Sequence, residues 1–503
     1  MKKIIALLAA LLISAGCIAC TGGNNPGGDE TGGTKGTDKT NVTGSDTGTS
    51  AGTEESLDPG LEKQDFGGGK MVFLCRDYGT NYNEIGIFED SPNNVESAVY
   101  WRNFKLNEKY NIKIDVNYQA FNAIHTYAQT QMDANDIPFD IISCGPMFQI
   151  NLAMNGSLYA NDEIPVIDFT KAYWSRTVMA DTSVANKSYF FVSDANMWAM
   201  NAAGVVFFNS DMIKDLQFEK SPYDLVNENA WTYDAMLTMS RRAYSDLDSD
   251  GVPSIADRFG SVSTYAASET MFAGLGGTTL NKDSDDIPEL TITDQKNIDR
   301  ITRVVEFWAE DSSLLINRYP DYQSPRAGGN LLADTLLDGR ALFSQEQLYQ
   351  LSTFVDSTYV IGMVPCPKYD ENQKDYRTFI HVAHSSSFSL PNLLTAERLK
   401  QTATVLEDMA YLSRDGVKHE YYDVNLTIRR AQDEESKAML DIIFSNMTID
   451  LGMVLQASGF NASTVVRNLV FNKDTSVSST LAGNVDSYNA LLSNMVKSFT
   501  GQK

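Results

Sequence analysis

Strands and helices alternate through the first part of the folded body, with short loops between them. Apolar runs at Lys70–Asp77, Ile112–Tyr118 and Phe139–Cys144 predict strands, and apolar residues at helical spacing predict helices over Asn94–Tyr110 and Ala120–Ala134. Strands joined through helices in this order pair in parallel, and the crossover helices then cover the faces of the sheet. The alternation therefore predicts an α/β fold.

A later stretch, Asn201–Arg242, combines a strand with two helix starts. Gly204–Asn209 is a β-branched and aromatic run that predicts a buried strand, and Ser210 or Asn209 is the predicted cap of the helix that follows. After a polar loop, Thr232 is the predicted N-cap of a second helix. The predicted order is strand, helix, loop and capped helix.

These elements carry a resemblance to the extracellular solute-binding proteins of ABC importers, especially the family 1, carbohydrate-binding type. Gly204–Asn209 and Ala230–Met236 are similar to the family's strand ending in aromatic-Asn and to its Trp/Thr helix start. Ile361–Pro367 matches the family's "G-hydrophobic-x-P-x-P" pattern, whereas Leu337–Ser344 matches the return motif only in part, because Leu342 replaces Ala. The resemblance implies a two-lobed periplasmic-binding-protein-like fold of type II with a ligand cleft between the lobes.

The same resemblance divides the chain into a leader, a tether and two discontinuous lobes. It implies a lipoprotein signal peptide and lipobox at 1–20, a flexible tether at 21–66, lobe 1 at 67–202 and 340–420, and lobe 2 at 203–339 and 421–503.

The N-terminus has the layout of a secretory signal peptide. Lys2 and Lys3 precede an apolar run, Ile4–Ile13, that is too short to span a bilayer. Cys17 and Cys20 each follow a small residue, which resembles a bacterial lipobox. Lipid on Cys17, or else on Cys20, would anchor the protein at the extracellular face of the cell membrane. The alternative is an ordinary signal peptide that contains cysteines.

The Gly/Thr-rich tether has almost no large apolar side chains, so it cannot bury enough surface to offset its ordering entropy. In the whole chain, 65 acidic residues outnumber 40 basic ones, and the net charge of −25 argues against nucleic acid and anionic lipid as partners. The three body cysteines, Cys75, Cys144 and Cys366, are too few and too widely spaced for a disulfide framework.

Ligands of open α/β sheets bind outside the carboxyl ends of the strands, which here are the loops Arg76–Gly79 and Gly145–Phe148. In the family, Trp198 would lie where the chain crosses to the second lobe, and its ring could stack on a sugar. Packing roles remain the alternative for Tyr78 and Phe148, and a buried hinge position for Trp198. The complete set of predicted ligand-binding residues is Arg76, Tyr78, Phe148, Trp174, Asp194, Trp198 and Glu346.

The loop Asp246–Asp257 has the spacing of a calcium-binding loop. Oxygen ligands recur at positions one, three, five, seven, nine and twelve, and glycine stands at position six. A solvated acidic turn is the alternative, and Asp at position twelve is shorter than the usual Glu. The predicted Ca²⁺ ligands are Asp246, Asp248, Asp250, the Val252 carbonyl, Ser254 and Asp257.

The sequence contains no G-x-S-x-G, H-E-x-x-H or Walker loop, and no catalytic residue is predicted. The resemblance implies a receptor that captures a sugar or oligosaccharide and delivers it to ABC permease subunits. A secreted carbohydrate-active enzyme is one alternative, because a pair of carboxylates across a cleft could hydrolyse glycosides. A calcium-dependent surface adhesin is the other.

Overall fold

The first sheet is built from four strands in the order Ser387–Ser389, Ile141–Cys144, Lys70–Arg76, Lys113–Gln119. The last three run parallel, and Ser387–Ser389 is antiparallel to its neighbour. The helices Asn94–Tyr110 and Ile124–Asp133 connect the parallel strands. The predicted alternation of strands and helices is therefore confirmed.

A second, five-stranded sheet has the order Ile361–Pro365, Gly204–Asn209, Ala341–Gln347, Phe259–Ser263, Leu314–Ile316. The strand Gly204–Asn209 is antiparallel to both of its neighbours, whereas the last three strands are mutually parallel. Each sheet with its helices forms one lobe, and the two lobes together confirm the predicted α/β, two-lobed architecture.

The point at which the chain returns to lobe 1 differs from the prediction. Ala341–Gln347 and Ile361–Pro365 were both expected in lobe 1 because they follow residue 340. Both strands instead pair with Gly204–Asn209 in the second sheet. The first strand after them to join the first sheet is Ser387–Ser389. A glycine turn such as Gly339 predicts that a strand begins there, but not which sheet the strand joins.

The computed structural model describes residues 57–78, 83–316, 331–354, 357–422 and 434–501. The predicted signal peptide, Cys17, Cys20, most of the tether and Gly79 lie outside these residues. None of the helices in the described ranges combines the length and the hydropathy that a membrane span requires.

Helix starts follow the predicted capping chemistry. The Asn209 side chain accepts a hydrogen bond from the Met212 N–H (2.9 Å), so Asn209, and not Ser210, caps Ser210–Asp215. Thr232 accepts from the Ala235 N–H (3.3 Å) and caps Tyr233–Ala243, as predicted. Further helices are Pro146–Met154, Arg176–Thr182, Met197–Asn201, Pro222–Asn227, Ala267–Gly274, Gln295–Glu310, Leu331–Leu337, Ala396–Ser413, Glu434–Ser445, Leu451–Val454, Ala462–Asn472, Val477–Ala482 and Val485–Thr500.

Within the described residues the chain passes between the lobes three times. The first crossing leads from Phe191, which pairs with Phe388, to the strand Gly204–Asn209. The second leads from Pro365 to Ser387. The described part of the third, residues 414–422, follows Ala396–Ser413, which packs on lobe 1, and the next described helix, Glu434–Ser445, packs on the strand Ile361–Pro365 of lobe 2. These crossings hold the two lobes on either side of a cleft.

A candidate ligand cleft between the lobes

Two cavities lie at the strand ends between the lobes, and together they form what we call the ligand cleft. The smaller has a volume of about 190 Å³ and the larger about 300 Å³. The ring of Trp198 in the smaller cavity lies 5.8 Å from the ring of Tyr349 in the larger one, centroid to centroid. The lining of the smaller cavity includes Arg76, Tyr78, Glu84 and Trp198, and that of the larger includes Gln345, Glu346, Gln347, Tyr349, His381 and His384.

An aromatic stack forms the lobe 1 side of this cleft. The rings of Tyr78 and Trp198 are nearly parallel, with centroids 4.1 Å apart and an angle of 6°. The Tyr78 hydroxyl donates to the Ser385 carbonyl (2.8 Å), which ties the stack to the second crossing. Only 3% of Trp198 is exposed. The structure therefore brings Tyr78 and Trp198 together. The two rings pack against each other and also line the cleft.

Arg76 ends the strand Lys70–Arg76 and is held between two rings. Its guanidinium carbon lies 3.9 Å from the Phe121 centroid and 4.4 Å from the Tyr78 centroid. Nη1 donates to the Ala383 carbonyl, while Nε is buried with no partner among the described residues. Phe148 packs behind Phe121, 5.1 Å from it, and lines neither cavity of the cleft.

Glu84 was not predicted, yet it determines where the aromatic stack lies. Its carboxylate accepts the Trp198 backbone N–H (2.9 Å), and only 5% of the residue is exposed. Burial raises the pKa of Glu84 to about 7, against the lowering effects of the Trp198 N–H, Ser386 and Arg102. Burial likewise lowers the pKa of Arg102 to about 10, and its Nη2 donates to the Glu84 carbonyl (2.9 Å). No sequence motif marks Glu84, because its environment comes entirely from distant residues.

Two histidines face the cleft from the second crossing. Their rings stack with centroids 4.3 Å apart, and burial lowers the pKa of His381 to about 3 and that of His384 to about 4. Both rings are therefore neutral at physiological pH. His384 Nδ1 pairs with the Gln347 side chain (2.9 Å), whereas His381 Nδ1 and Gln345 Oε1 are buried with no partner in the described chain. The cleft thus offers neutral donors and acceptors from both lobes.

Glu346, a predicted ligand residue, also lines the larger cavity. Trp174 and Asp194 lie elsewhere, in a separate cavity of about 750 Å³. The Trp174 indole N–H donates to Glu407 (2.9 Å), and Asp194 forms an ion pair with Lys418 (2.7 Å). Of the seven predicted residues, the structure therefore brings Arg76, Tyr78, Trp198 and Glu346 to the ligand cleft.

In the acidic loop Asp246–Asp257, carboxylates lie close together and accept hydrogen bonds from backbone N–H groups of the loop itself. Carboxylate oxygens of Asp246, Asp248 and Asp250 all lie within 4.8 Å of one another. Gly251, at position six, has φ +76°, a conformation that favours glycine. Asp257 is fully buried and accepts the N–H groups of Leu247 (2.9 Å) and Ser254 (2.8 Å). The carboxylates of Asp246, Asp248 and Asp250 suit a hard cation. Asp257 also joins the beginning and the end of the loop through its hydrogen bonds to Leu247 and Ser254.

Comparison with solved structures identifies the architecture. The ABC substrate-binding protein Lmo0181 from Listeria monocytogenes, in complex with cycloalternan, has a TM-score of 0.55 at 13% identity, covering 84% of this chain and 99% of its own. The acarbose-binding GacH receptor of Streptomyces glaucescens gives 0.55 at 13%, covering 84% and 98%. UgpB from Mycobacterium tuberculosis, in complex with glycerophosphocholine, gives 0.55 at 12%, covering 85% and 99%.

No protein-family model matches the chain. A sequence search of curated proteins likewise finds no match. The structural matches span nearly the full length of each neighbour, so the likeness covers both lobes and not one shared subdomain. The chain therefore has the two-lobed fold of the ABC substrate-binding proteins.

Proposed function

We propose that this chain is the substrate-binding receptor of an ABC importer, and that it captures a sugar or oligosaccharide in the ligand cleft. The observation that carries the proposal is the Tyr78–Trp198 stack facing Tyr349 across the lobes. Aromatic rings offer flat apolar faces to the C–H side of a sugar, and polar groups beside them satisfy its hydroxyls.

The polar groups of the cleft fit this role. Arg76 Nε, Gln345 Oε1 and His381 Nδ1 have no partners in the described chain, and a buried polar group without a partner costs about 1–3 kcal/mol. Small movements of these side chains would let ligand hydroxyls satisfy them. Because they come from both lobes and the second crossing, a ligand that engages them all favours the closed arrangement of the lobes.

The neighbours support carbohydrate as the ligand class. Cycloalternan and acarbose, bound by two of them, are both carbohydrates, whereas glycerophosphocholine, bound by UgpB, is not. The proposed partners are accordingly a saccharide and the permease subunits of an importer. Binding without turnover is expected, since the three neighbours are each described in complex with a bound ligand.

The lipid anchor belongs to the same proposal. Lipid on Cys17, or on Cys20, would hold the receptor at the extracellular face of the cell membrane, and the tether would let it reach its permease. Mass spectrometry of the mature protein would identify the modified cysteine. A mature N-terminus beyond residue 20, without lipid, would contradict the anchor.

Calcium in the loop Asp246–Asp257 is proposed as structural. The carboxylates of Asp246, Asp248 and Asp250 are close enough to share one ion. The loop lines neither the ligand cleft nor the 750 Å³ cavity, so the ion would stabilise lobe 2 and would not touch the ligand.

A thermal-shift and calorimetric screen of mono- and oligosaccharides tests the receptor function, with amino acids and peptides as other ligand classes. A ligand at about 100 times its dissociation constant adds about 2.7 kcal/mol to the unfolding free energy. Tyr349→Ala should abolish the shift, while Tyr359→Ala, on the surface strand connection, should leave it unchanged. The proposal would be contradicted if no saccharide caused a thermal shift or a calorimetric signal, or if both variants bound saccharide equally. Release of reducing ends during the assay would favour the enzyme alternative.

A further inference from the structure

A third cavity lies where the three crossings meet, and we call it the hinge cavity. Its volume is about 750 Å³, within the range of small-molecule sites. Asp194 and Met200 line it from the first crossing, Ile380 from the second, and Arg414 and Lys418 from the third. Every described connection between the lobes therefore contributes to its wall.

Its polar side carries three acidic residues, Asp194, Asp415 and Asp441, and two basic residues, Arg414 and Lys418. Asp194 pairs with Lys418 (2.7 Å), which joins the first crossing to the third. The other carboxylate oxygen of Asp194, Oδ2, and Nη1 of Arg414 are buried and have no partner in the described chain. Burial raises the pKa of Asp194 and the charge of Asp415 adds to that rise, while the charges of Lys418 and Arg414 oppose it. Arg414 also forms an ion pair with Asp415 through Nε (3.9 Å), so Asp194 Oδ2 and Arg414 Nη1 are the atoms of these two side chains that lack a partner.

The remaining wall is apolar. Val178, Val192, Ile380, Phe444 and Met447 all line it. A free inorganic ion would leave this surface unused, and a single-signed ligand would meet a like charge on Asp194 or Arg414. A molecule with an apolar body and two opposite charges satisfies both sides of the cavity.

We propose that the hinge cavity binds an amphipathic zwitterion, an apolar α-amino acid, at a site separate from the ligand cleft. Its ammonium group pairs with Asp194, its carboxylate with Arg414, and its side chain packs on the apolar wall. Small shifts of the Asp194 and Arg414 side chains bring their buried atoms to the ligand. No covalent step is involved.

Occupancy of this site is coupled to the lobes. Because the wall comes from all three crossings, its shape depends on the hinge angle, and a ligand there favours the arrangement that fits it. Coupling between two sites is reciprocal, so the amino acid and the cleft ligand change each other's affinity by the same factor. A receptor of this kind would respond to two nutrient classes at once.

The test uses leucine and phenylalanine as probes, with the full mature chain carrying ¹³C-methyl methionine. Met200 and Met447 line the cavity, and their signals are assigned with Met200→Leu and Met447→Leu. Addition of leucine should shift both signals, and calorimetry should show saturable binding. Asp194→Asn should weaken that binding at least tenfold, and Tyr349→Ala, in the cleft, should change it less than twofold.

Filling the cavity provides a second variant that keeps the ion pair. Ala172→Leu places a larger apolar side chain at an exposed position of the wall and should weaken leucine binding without altering the unfolding midpoint of the unliganded protein by more than a few degrees. Absence of methionine shifts at millimolar leucine would overturn the proposal. So would leucine binding that Tyr349→Ala abolishes and Asp194→Asn leaves intact, since that pattern would place amino acids in the cleft. Failure of saccharides to bind bears only on the cleft.

Discussion

The ligand cleft and the hinge cavity share the short helix Met197–Asn201 but differ in chemistry. Trp198 lies on the cleft side, beside stacked rings and neutral histidines. Met200 lies on the hinge side, beside ion-paired charges and aliphatic walls. A single turn of helix therefore separates a surface suited to neutral hydroxyls from one suited to opposite charges. The comparison teaches that position along a crossing does not determine the kind of site a residue joins.

The largest expected effect comes from removing the ring that defines the cleft side. Trp198→Ala should lower the free energy of unfolding by about 3–5 kcal/mol, because Trp198 is buried against Tyr78 and its loss leaves a cavity. Trp101→Ala, at a site 46% exposed, should change it by no more than about 0.5 kcal/mol. Chemical denaturation measures both. Equal effects would show that the stack contributes no more than surface rings do.

Glu84 makes the stability of the cleft side depend on pH, because burial raises the pKa of its carboxyl group to about 7. A raised pKa means that the folded state holds the proton more tightly than the unfolded state. The stabilisation is present below the unfolded value of 4.5 and is lost as pH rises through about 7. That shift corresponds to about 3 kcal/mol in the free energy of unfolding.

Thermal unfolding from pH 5 to pH 8 measures this loss of stability. In Glu84→Gln the component due to Glu84 should disappear, whereas Glu89→Gln, on an exposed position, should retain the wild-type slope. A wild-type slope in Glu84→Gln would assign the pH dependence to other groups. A slope that disappears together with ligand affinity would show that ligand binding also depends on the carboxyl group of Glu84.

The strand-end rule located Arg76 and Tyr78 because it follows from how parallel sheets are connected. Trp174 and Asp194 entered the prediction from chain order within the resemblance, and chain order cannot say which side of a crossing a side chain occupies. Glu84 was not predicted because its environment is created by burial and by Trp198 and Arg102, which are distant from it in the sequence. Strands and caps were predictable from local residues, whereas sheet membership of Ala341–Gln347 depended on partners far along the chain.

The predicted calcium loop lines neither the ligand cleft nor the hinge cavity, so removing calcium provides a control for the comparison of these two sites. Chelation should lower the unfolding free energy by about 2 kcal/mol if millimolar calcium saturates a weak extracellular-type site. Affinities in the cleft and in the hinge cavity should stay within twofold at 25 °C. Calorimetry with and without chelator checks both statements, and Asp248→Asn should reproduce the effect of the chelator. An unchanged melting temperature would favour a solvated acidic turn.

The smallest effect on stability, and the sharpest on the comparison, concerns the ion pair between Asp194 and Lys418. The Lys418 side chain is 42% exposed and the charge of Arg414 still compensates the buried Asp194, so Lys418→Met should cost about 1 kcal/mol. Lys70→Met removes a similar pair, Lys70–Asp115 (2.6 Å), that lies within the first sheet.

Only the Lys418 pair joins two crossings, so only its loss should alter the balance between open and closed lobes. Saccharide affinity should therefore change severalfold in Lys418→Met and not in Lys70→Met, although the two proteins unfold at similar temperatures. Titration calorimetry with the best saccharide measures the difference. Identical affinities would mean that the hinge cavity is a passive space between the lobes. A change in saccharide affinity in Lys418→Met alone would show that the ligand cleft and the hinge cavity, on the two sides of the helix Met197–Asn201, are energetically coupled.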